Sequence, residues 1–117
     1  MKRSLLLFSY LFILTTSIAQ TFSDDFETYA VGDYLGTNSP DWTTWSGTTG
    51  GTEDVQITNT QANSGSNSIY FSSIASGGGP QDVVLPFGGE HNTGSFSFSA
   101  AFYIEAGKSA YFNFQEQ

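Results

Sequence analysis

The sequence predicts an all-β fold, an antiparallel sandwich built from short strands, and three observations support this prediction. No segment after residue 19 combines a sustained 3.6-residue apolar period with helix-capping residues. Apolar and polar residues instead alternate in several short runs, which is the period of a strand with one buried face. Loops rich in glycine, serine and threonine separate these runs, among them GTNSP, SGTTGGTE, NSGSNS, SGGGP and FGGEHNTG.

Residues 1–19 have the pattern of a secretory signal peptide. Lys2 and Arg3 form a positive start, residues 5–14 are largely apolar, and small residues precede the expected cleavage between Ala19 and Gln20. The apolar run is well short of the roughly 20 residues that a membrane-spanning helix needs, although an uncleaved membrane anchor is the alternative. We therefore expect a secreted or cell-surface protein, not inserted in the membrane after cleavage, with one mature domain at residues 20–117.

The expected mature chain is strongly acidic and has no disulfides. Removal of the leader leaves Lys108 as the single basic residue against eleven acids. This charge argues against nucleic acid and anionic membranes as partners, because both require positive charge, and it favours a soluble extracellular protein or a cation binder. Without cysteine, stability must come from a core, a metal or further chain, and eleven Phe, six Tyr and two Trp make an aromatic core realistic.

Four short runs predict the first strands of the mature chain. In the first, TFSDDFETY, the alternation places Asp24 on the same side as Phe22 and Phe26, which we expect to anchor the strand in the core. Asp25 and Glu27 share the opposite, wet side. The second run, EDVQIT, sets its valine and isoleucine against its aspartate and glutamine. NSIYFSS and QDVVLPF supply the third and fourth strands.

The most regular alternation lies near the end of the chain, at residues 95–105. Phe96, Phe98 and Phe102 lie on one side of this predicted long strand, and serines occupy much of the other. The sequence EAGK then supplies a turn that contains glycine, and SAYFNFQ returns with Phe112 and Phe114 on the same inner face. We therefore predict a β-hairpin with one buried, aromatic face.

The last predicted strand ends at the chain terminus without a turn or a polar tail. An aromatic-rich strand left as an unpaired edge would favour aggregation. We therefore expect this chain to be the N-terminal portion of a longer protein. The alternative is a complete small sandwich whose last strand is central.

Three segments carry a family resemblance: DDFETYAVGDYL, DWTTWSG and QANSGSNSIYF. In this order they resemble the opening of the laminin-G-like, concanavalin A-type jelly-roll domains of secreted bacterial surface proteins, and AYFNFQ resembles a later inner strand. The resemblance implies a jelly-roll sandwich that is incomplete at its C-terminus, with closing strands and further domains after residue 117. It also implies a structural calcium ion near the first strand, which many such jelly rolls carry.

Asp25 and Glu27 are the candidate calcium ligands, since they share a face of the predicted first strand. Calcium takes six to eight oxygen ligands, so backbone carbonyls and later residues would have to complete the shell, and a solvated strand face is the alternative. Two carboxyls on one strand face could also meet the roughly 5 Å spacing of retaining glycosidases. Glycosidases on similar sandwiches carry E-x-D-x-E or E-x-D-x-x-E, which this chain lacks, so we expect no catalytic residue in it.

Trp42, Trp45 and Tyr34 are the candidate ligand-binding residues. A flat exposed indole stacks on the apolar face of a sugar ring and carries one N–H donor for a hydroxyl, although packing over the core is the alternative for either tryptophan. His91 is the only histidine, and in a chain without cysteine it predicts an exposed loop rather than a zinc site or a catalytic triad.

These observations predict a secreted carbohydrate-binding or adhesion module, possessing no enzymatic activity of its own, that contacts extracellular glycans or surface proteins. One alternative is a structural or spacer module of a larger cell-surface protein. A second is the front part of a secreted glycoside hydrolase whose catalytic acids lie beyond residue 117.

Overall fold

The computed structural model describes residues 22–72 and 79–115, and its regular elements are short. One helical turn, α1, spans Leu35–Asn38, within a segment predicted as loop, and four strands follow: β1 Thr43–Thr44, β2 Gln56–Thr58, β3 Ser68–Tyr70 and β4 Val83–Val84. The described residues thus form a β-rich structure with little helix, as predicted. The expected leader lies outside them. None of the helical structure in the described ranges is long and apolar enough to cross a membrane.

The strands form two small antiparallel sheets. In the first, β2 pairs with β3, and Ile57 lies opposite Ile69. In the second, β1 pairs with β4, and Thr44 lies opposite Val83. Antiparallel pairing and the strands predicted in EDVQIT, NSIYFSS and QDVVLPF are confirmed. The two small sheets do not by themselves establish a sandwich.

The core lies around β2, because extended chain runs along both of its sides. Opposite β3, residues 32–35 form a second ladder with it, in which Gly32 donates to Ile57 O, Ile57 to Asp33 O and Leu35 to Val55 O, each at 2.9 Å. Leu35, Val55 and Ile57 are buried, and five partly buried side chains pack against them: Phe26, Tyr29, Trp42, Ile69 and Val83.

The prediction of a first strand at residues 22–30 is wrong, because these residues form turns and no strand. The carboxylate of Asp24 accepts the Phe26 N–H at 2.9 Å, and that of Asp25 accepts the Glu27 N–H at 3.1 Å. Phe26 has a φ of 64°, in the left-handed region. Aspartate side chains that bond the backbone two residues onward compete with a strand ladder, and here two in succession prevent it.

The predicted C-terminal hairpin is present as a turn with ring contacts but without strands. Lys108 N donates to Glu105 O at 3.0 Å, and Gly107 at φ 79° occupies the position where a type II turn requires positive φ. Phe112 stacks on Phe98 and Phe102, with centroid distances of 5.9 and 5.3 Å. Residues 85–115 contain no strand, and the aromatic face that we expected to be buried is exposed. An isolated two-stranded hairpin is marginally stable, and no described layer covers this one.

Candidate functional site

Trp42 belongs to the packing of the molecule. Its ring lies 6.0 Å from Phe22 and 6.4 Å from Phe26 between centroids, and it contacts the buried core. Its Nε1 donates to Asp24 Oδ2 at 3.1 Å. Because its ring is half-buried and its one indole N–H already donates to Asp24, Trp42 is poorly placed to stack on a ligand or to donate to it.

Trp45 differs from Trp42 in each of these respects. Its side chain is 53% exposed, and its indole N–H has no partner among the described residues. Its backbone is nevertheless fixed, since its N–H donates to Asp82 O at 3.0 Å just beyond the β1–β4 ladder. Trp45 therefore presents a flat aromatic surface and an indole N–H donor, and its backbone is fixed by a hydrogen bond.

The chain around Trp45 supplies hydrogen-bonding groups. Ser46 N donates to Glu53 Oε2 at 3.2 Å, and Asp82 N donates to Glu53 O at 2.9 Å. Hydrogen bonding from Ser46, through its hydroxyl and then its backbone N–H, holds the pKa of the Glu53 carboxyl below its ordinary value, with a smaller contribution from Thr44. Glu53 is thus a charged acceptor bonded to the residue next to Trp45.

Tyr34 lies at another place. It is half-buried at the start of α1, where its carbonyl accepts both the backbone and the side-chain N–H of Asn38. It lines a shallow, open pocket of about 250 Å³ in which neither tryptophan takes part, together with Gly51, Thr52, Asp54, Gln56, Ser72, Pro80 and Gln81. The structure therefore does not bring the three predicted aromatic residues into one site.

Asp25 and Glu27, the candidate calcium ligands, have different surroundings. Asp25 lines a groove with Asp24 and Asp41, and Glu27 is not part of that lining. Glu27 Oε1 instead accepts the backbone N–H groups of residues 66 and 67, at 2.8 and 2.6 Å. Gly65, at φ 61°, makes room for it, because a Cβ there would lie 2.5 Å from Glu27 Oε1.

A calcium ion is poorly supported by these residues. The described part of the chain contains no group of three or more acidic, histidine or cysteine side chains placed to hold a metal. One oxygen of each candidate ligand already accepts backbone hydrogen bonds. Calcium at Asp25 and Glu27 would thus depend on backbone carbonyls and on ligands outside the described ranges.

Asp54 is the residue whose role the sequence patterns missed. The alternation in EDVQIT placed it on the wet side, but it is only 1% exposed. Its Oδ1 accepts the N–H groups of Gly36 and Val55 at 2.9 and 2.8 Å, and its Oδ2 accepts that of Gly50 at 2.9 Å. One buried carboxylate therefore ties α1 to the segment that leads into β2.

Asp24 is a second carboxylate that organises its neighbours. Beside the Phe26 N–H and the Trp42 indole, it accepts the hydroxyl of Tyr29 at 3.1 Å. Burial raises the pKa of the Tyr29 phenol, and the charges of Asp24 and Asp41 raise it further. His91 lies in an exposed loop as predicted, with Nε2 2.8 Å from Phe87 O.

Comparisons of this chain with protein-family models, with curated proteins and with solved structures find no match.

Proposed function

We propose that this protein is a secreted carbohydrate-binding module in which Trp45 stacks on a sugar ring. The observation that supports the proposal is the contrast between its two tryptophans. Trp42 is packed and hydrogen-bonded, whereas the half-exposed indole of Trp45 keeps its N–H available. An exposed ring of this kind suits the apolar C–H face of a sugar, and its N–H suits a hydroxyl.

The surroundings of Trp45 favour binding without large rearrangement. The bonds from Trp45 to Asp82 and from Asp82 to Glu53 fix the backbone on both sides of the ring. Pre-ordered groups lower the entropy cost of association. The ionised Glu53 offers an acceptor for sugar hydroxyls. The ligand class is an extracellular polysaccharide or the glycan of a glycoprotein.

The scaffold we propose is the antiparallel sandwich of the jelly-roll class. The two small antiparallel sheets support it. The pattern of residues 1–19 supports export, and an adhesion role at the cell surface would use the same Trp45 site.

A glycan array followed by tryptophan fluorescence tests the proposal, since the chain contains two tryptophans. In Trp42→Phe, Trp45 is the only indole, and we expect the best glycan to quench or shift its emission. Trp45→Ala should weaken binding by about tenfold or more, which corresponds to about 1.4 kcal/mol. Trp42→Phe serves as the matched control and should retain binding.

Two results would contradict the proposal. If no glycan binds, or if Trp45→Ala binds as the unaltered protein does, the carbohydrate function is wrong. A spacer role would then account for the chain better.

The calcium site stays a separate prediction. An ion held at Asp25 and Glu27 in the folded state should raise the melting temperature by several degrees relative to chelator-treated protein. Superimposable melting curves with and without chelator would rule out a stabilising ion.

A further inference from the structure

The segment 85–115 presents an aromatic surface that the proposed carbohydrate site does not use. Six phenylalanines, between 36% and 63% exposed, form what we call the phenylalanine face: Phe87, Phe96, Phe98, Phe102, Phe112 and Phe114. Their rings contact one another. Phe114 lies 5.1 Å from Phe98 and 5.2 Å from Phe96 between centroids, in edge-to-face geometry. The face is thus one continuous patch.

The phenylalanine face is large for a surface that stays exposed on a monomer. A phenylalanine buries about 200 Å² when fully covered, so six rings that are about half exposed present roughly 600 Å². Tyr111, 84% exposed, and Ile104 extend the exposed apolar surface of the same segment. A stable protein–protein contact covers about 800 Å² on each partner, and a typical monomer's largest apolar patch is at most about 600 Å².

The distribution of charge indicates which partner can approach this face. The chain carries a net charge of −8, so two copies repel each other wherever their acids meet. Residues 92–104 and 109–115 contain no acidic or basic side chain. The phenylalanine face is therefore a long stretch on which two like-charged copies can come together without that repulsion.

We infer that the phenylalanine face binds a second copy of this chain in a two-fold dimer. A two-fold interface pairs the same patch on both copies, and two uncharged phenylalanine faces can pair in this way without bringing like charges together. The backbone adds to this. Within the described residues from 85 to 115, the single backbone–backbone hydrogen bond is the one that closes the turn at Glu105 and Lys108, which leaves other backbone N–H and C=O groups able to pair between copies.

Sedimentation equilibrium on the whole exported chain tests the inference, with its N-terminus established by mass spectrometry. We expect a monomer–dimer equilibrium in the micromolar range. Phe98→Ser and Phe112→Ser, which remove two stacked rings, should each weaken dimerisation by about tenfold or more. Phe71→Ser is the matched control, because Phe71 is 50% exposed and has no ring contact with the face. It should leave the dimer unchanged.

Hydrogen exchange on the unaltered protein provides a readout that does not depend on a variant folding. As concentration rises through the dimerisation range, amide protection should increase within residues 95–115 and not around Trp45. A chain that stays monomeric, aggregates without fixed stoichiometry, or dimerises equally well in Phe98→Ser and Phe112→Ser would overturn the inference. Concentration-dependent protection outside residues 85–115 alone would do the same.

Discussion

Two regions of the described chain differ in the interactions that hold them in place. All fully buried residues lie between Leu35 and Ile57, in a region where carboxylates bond the backbone of distant segments. In contrast, every described residue from Pro86 to Gln115 is exposed, although this region has the more regular apolar alternation. Alternation therefore indicates which side of a strand is apolar. Burial also requires a second surface, and side-chain-to-backbone bonds can supply order where ladders are short.

The largest expected effect concerns Asp54, the buried carboxylate that accepts three backbone N–H groups. Asp54→Ala leaves the N–H groups of Gly36, Val55 and Gly50 without their acceptor. This loss costs about 1–3 kcal/mol where the N–H is buried, as at Val55, and less where water can reach it, as at Gly50. We expect a loss of about 3 kcal/mol or more in the free energy of unfolding, measured by urea denaturation at monomeric concentrations. Asp82→Ala is the control, because Asp82 is exposed, and it should cost little. Equal losses in both variants would remove Asp54 from this role.

A smaller effect is expected where Gly65 meets Glu27. Gly65→Ala and Gly47→Ala both place a Cβ at positive φ, which costs roughly 1–2 kcal/mol. Gly47 has open space around it, whereas the new methyl at Gly65 would displace the Glu27 carboxylate from its two N–H donors. Gly65→Ala should therefore be the more destabilising of the two by about 1 kcal/mol. If thermal unfolding shows the same loss for both, the Glu27 contact contributes nothing.

A still smaller effect is the pH dependence contributed by Glu53. The folded-state pKa of Glu53 lies below its unfolded value, so its stabilising contribution is present above the unfolded pKa and is lost as pH falls through the folded pKa. Glu53→Gln should therefore flatten part of the decline in melting temperature between neutral and acidic pH. The measurement is a series of thermal melts. A decline identical to that of the unaltered protein would show that the Ser46 contact is not kept in solution.

The smallest effect is expected in the exposed region. Gly107→Ala introduces the same positive-φ strain as Gly65→Ala, at a position with open space and no link to the buried core. The free energy of unfolding of the core, followed by tryptophan emission at monomeric concentrations, should change by less than about 0.5 kcal/mol. A loss as large as that of Gly65→Ala would mean that the two regions unfold as one unit and are not stabilised independently.

Local patterns predicted those features that depend on neighbours in sequence. The alternation around Val55 and Ile57 placed β2, and the glycine in EAGK placed the turn at Gly107. The same reasoning failed for residues 22–30, because alternation does not reveal that Asp24 and Asp25 bond their own backbone. A signal was available there, since aspartate is depleted in strands and enriched in turns.

The candidate site was predicted in part for the same reason. The sequence DWTTWSG identified both tryptophans, but their different roles depend on contacts made across the fold. Trp42 is held by Asp24, eighteen residues earlier, and Trp45 by Asp82, next to β4. Asp54 likewise bonds Gly36 from eighteen residues away. No periodicity in a single sequence records such pairings.

The bond between Glu27 and residues 66 and 67 has a consequence for the order of events during synthesis. It joins positions about forty residues apart, so the turn at Phe26 cannot dock until residue 67 has been made. Contacts of such long sequence separation form late, because the entropy of closing the intervening loop must first be overcome. The segment around Phe26 therefore stays undocked while the chain is elongating, which is compatible with the export proposed above.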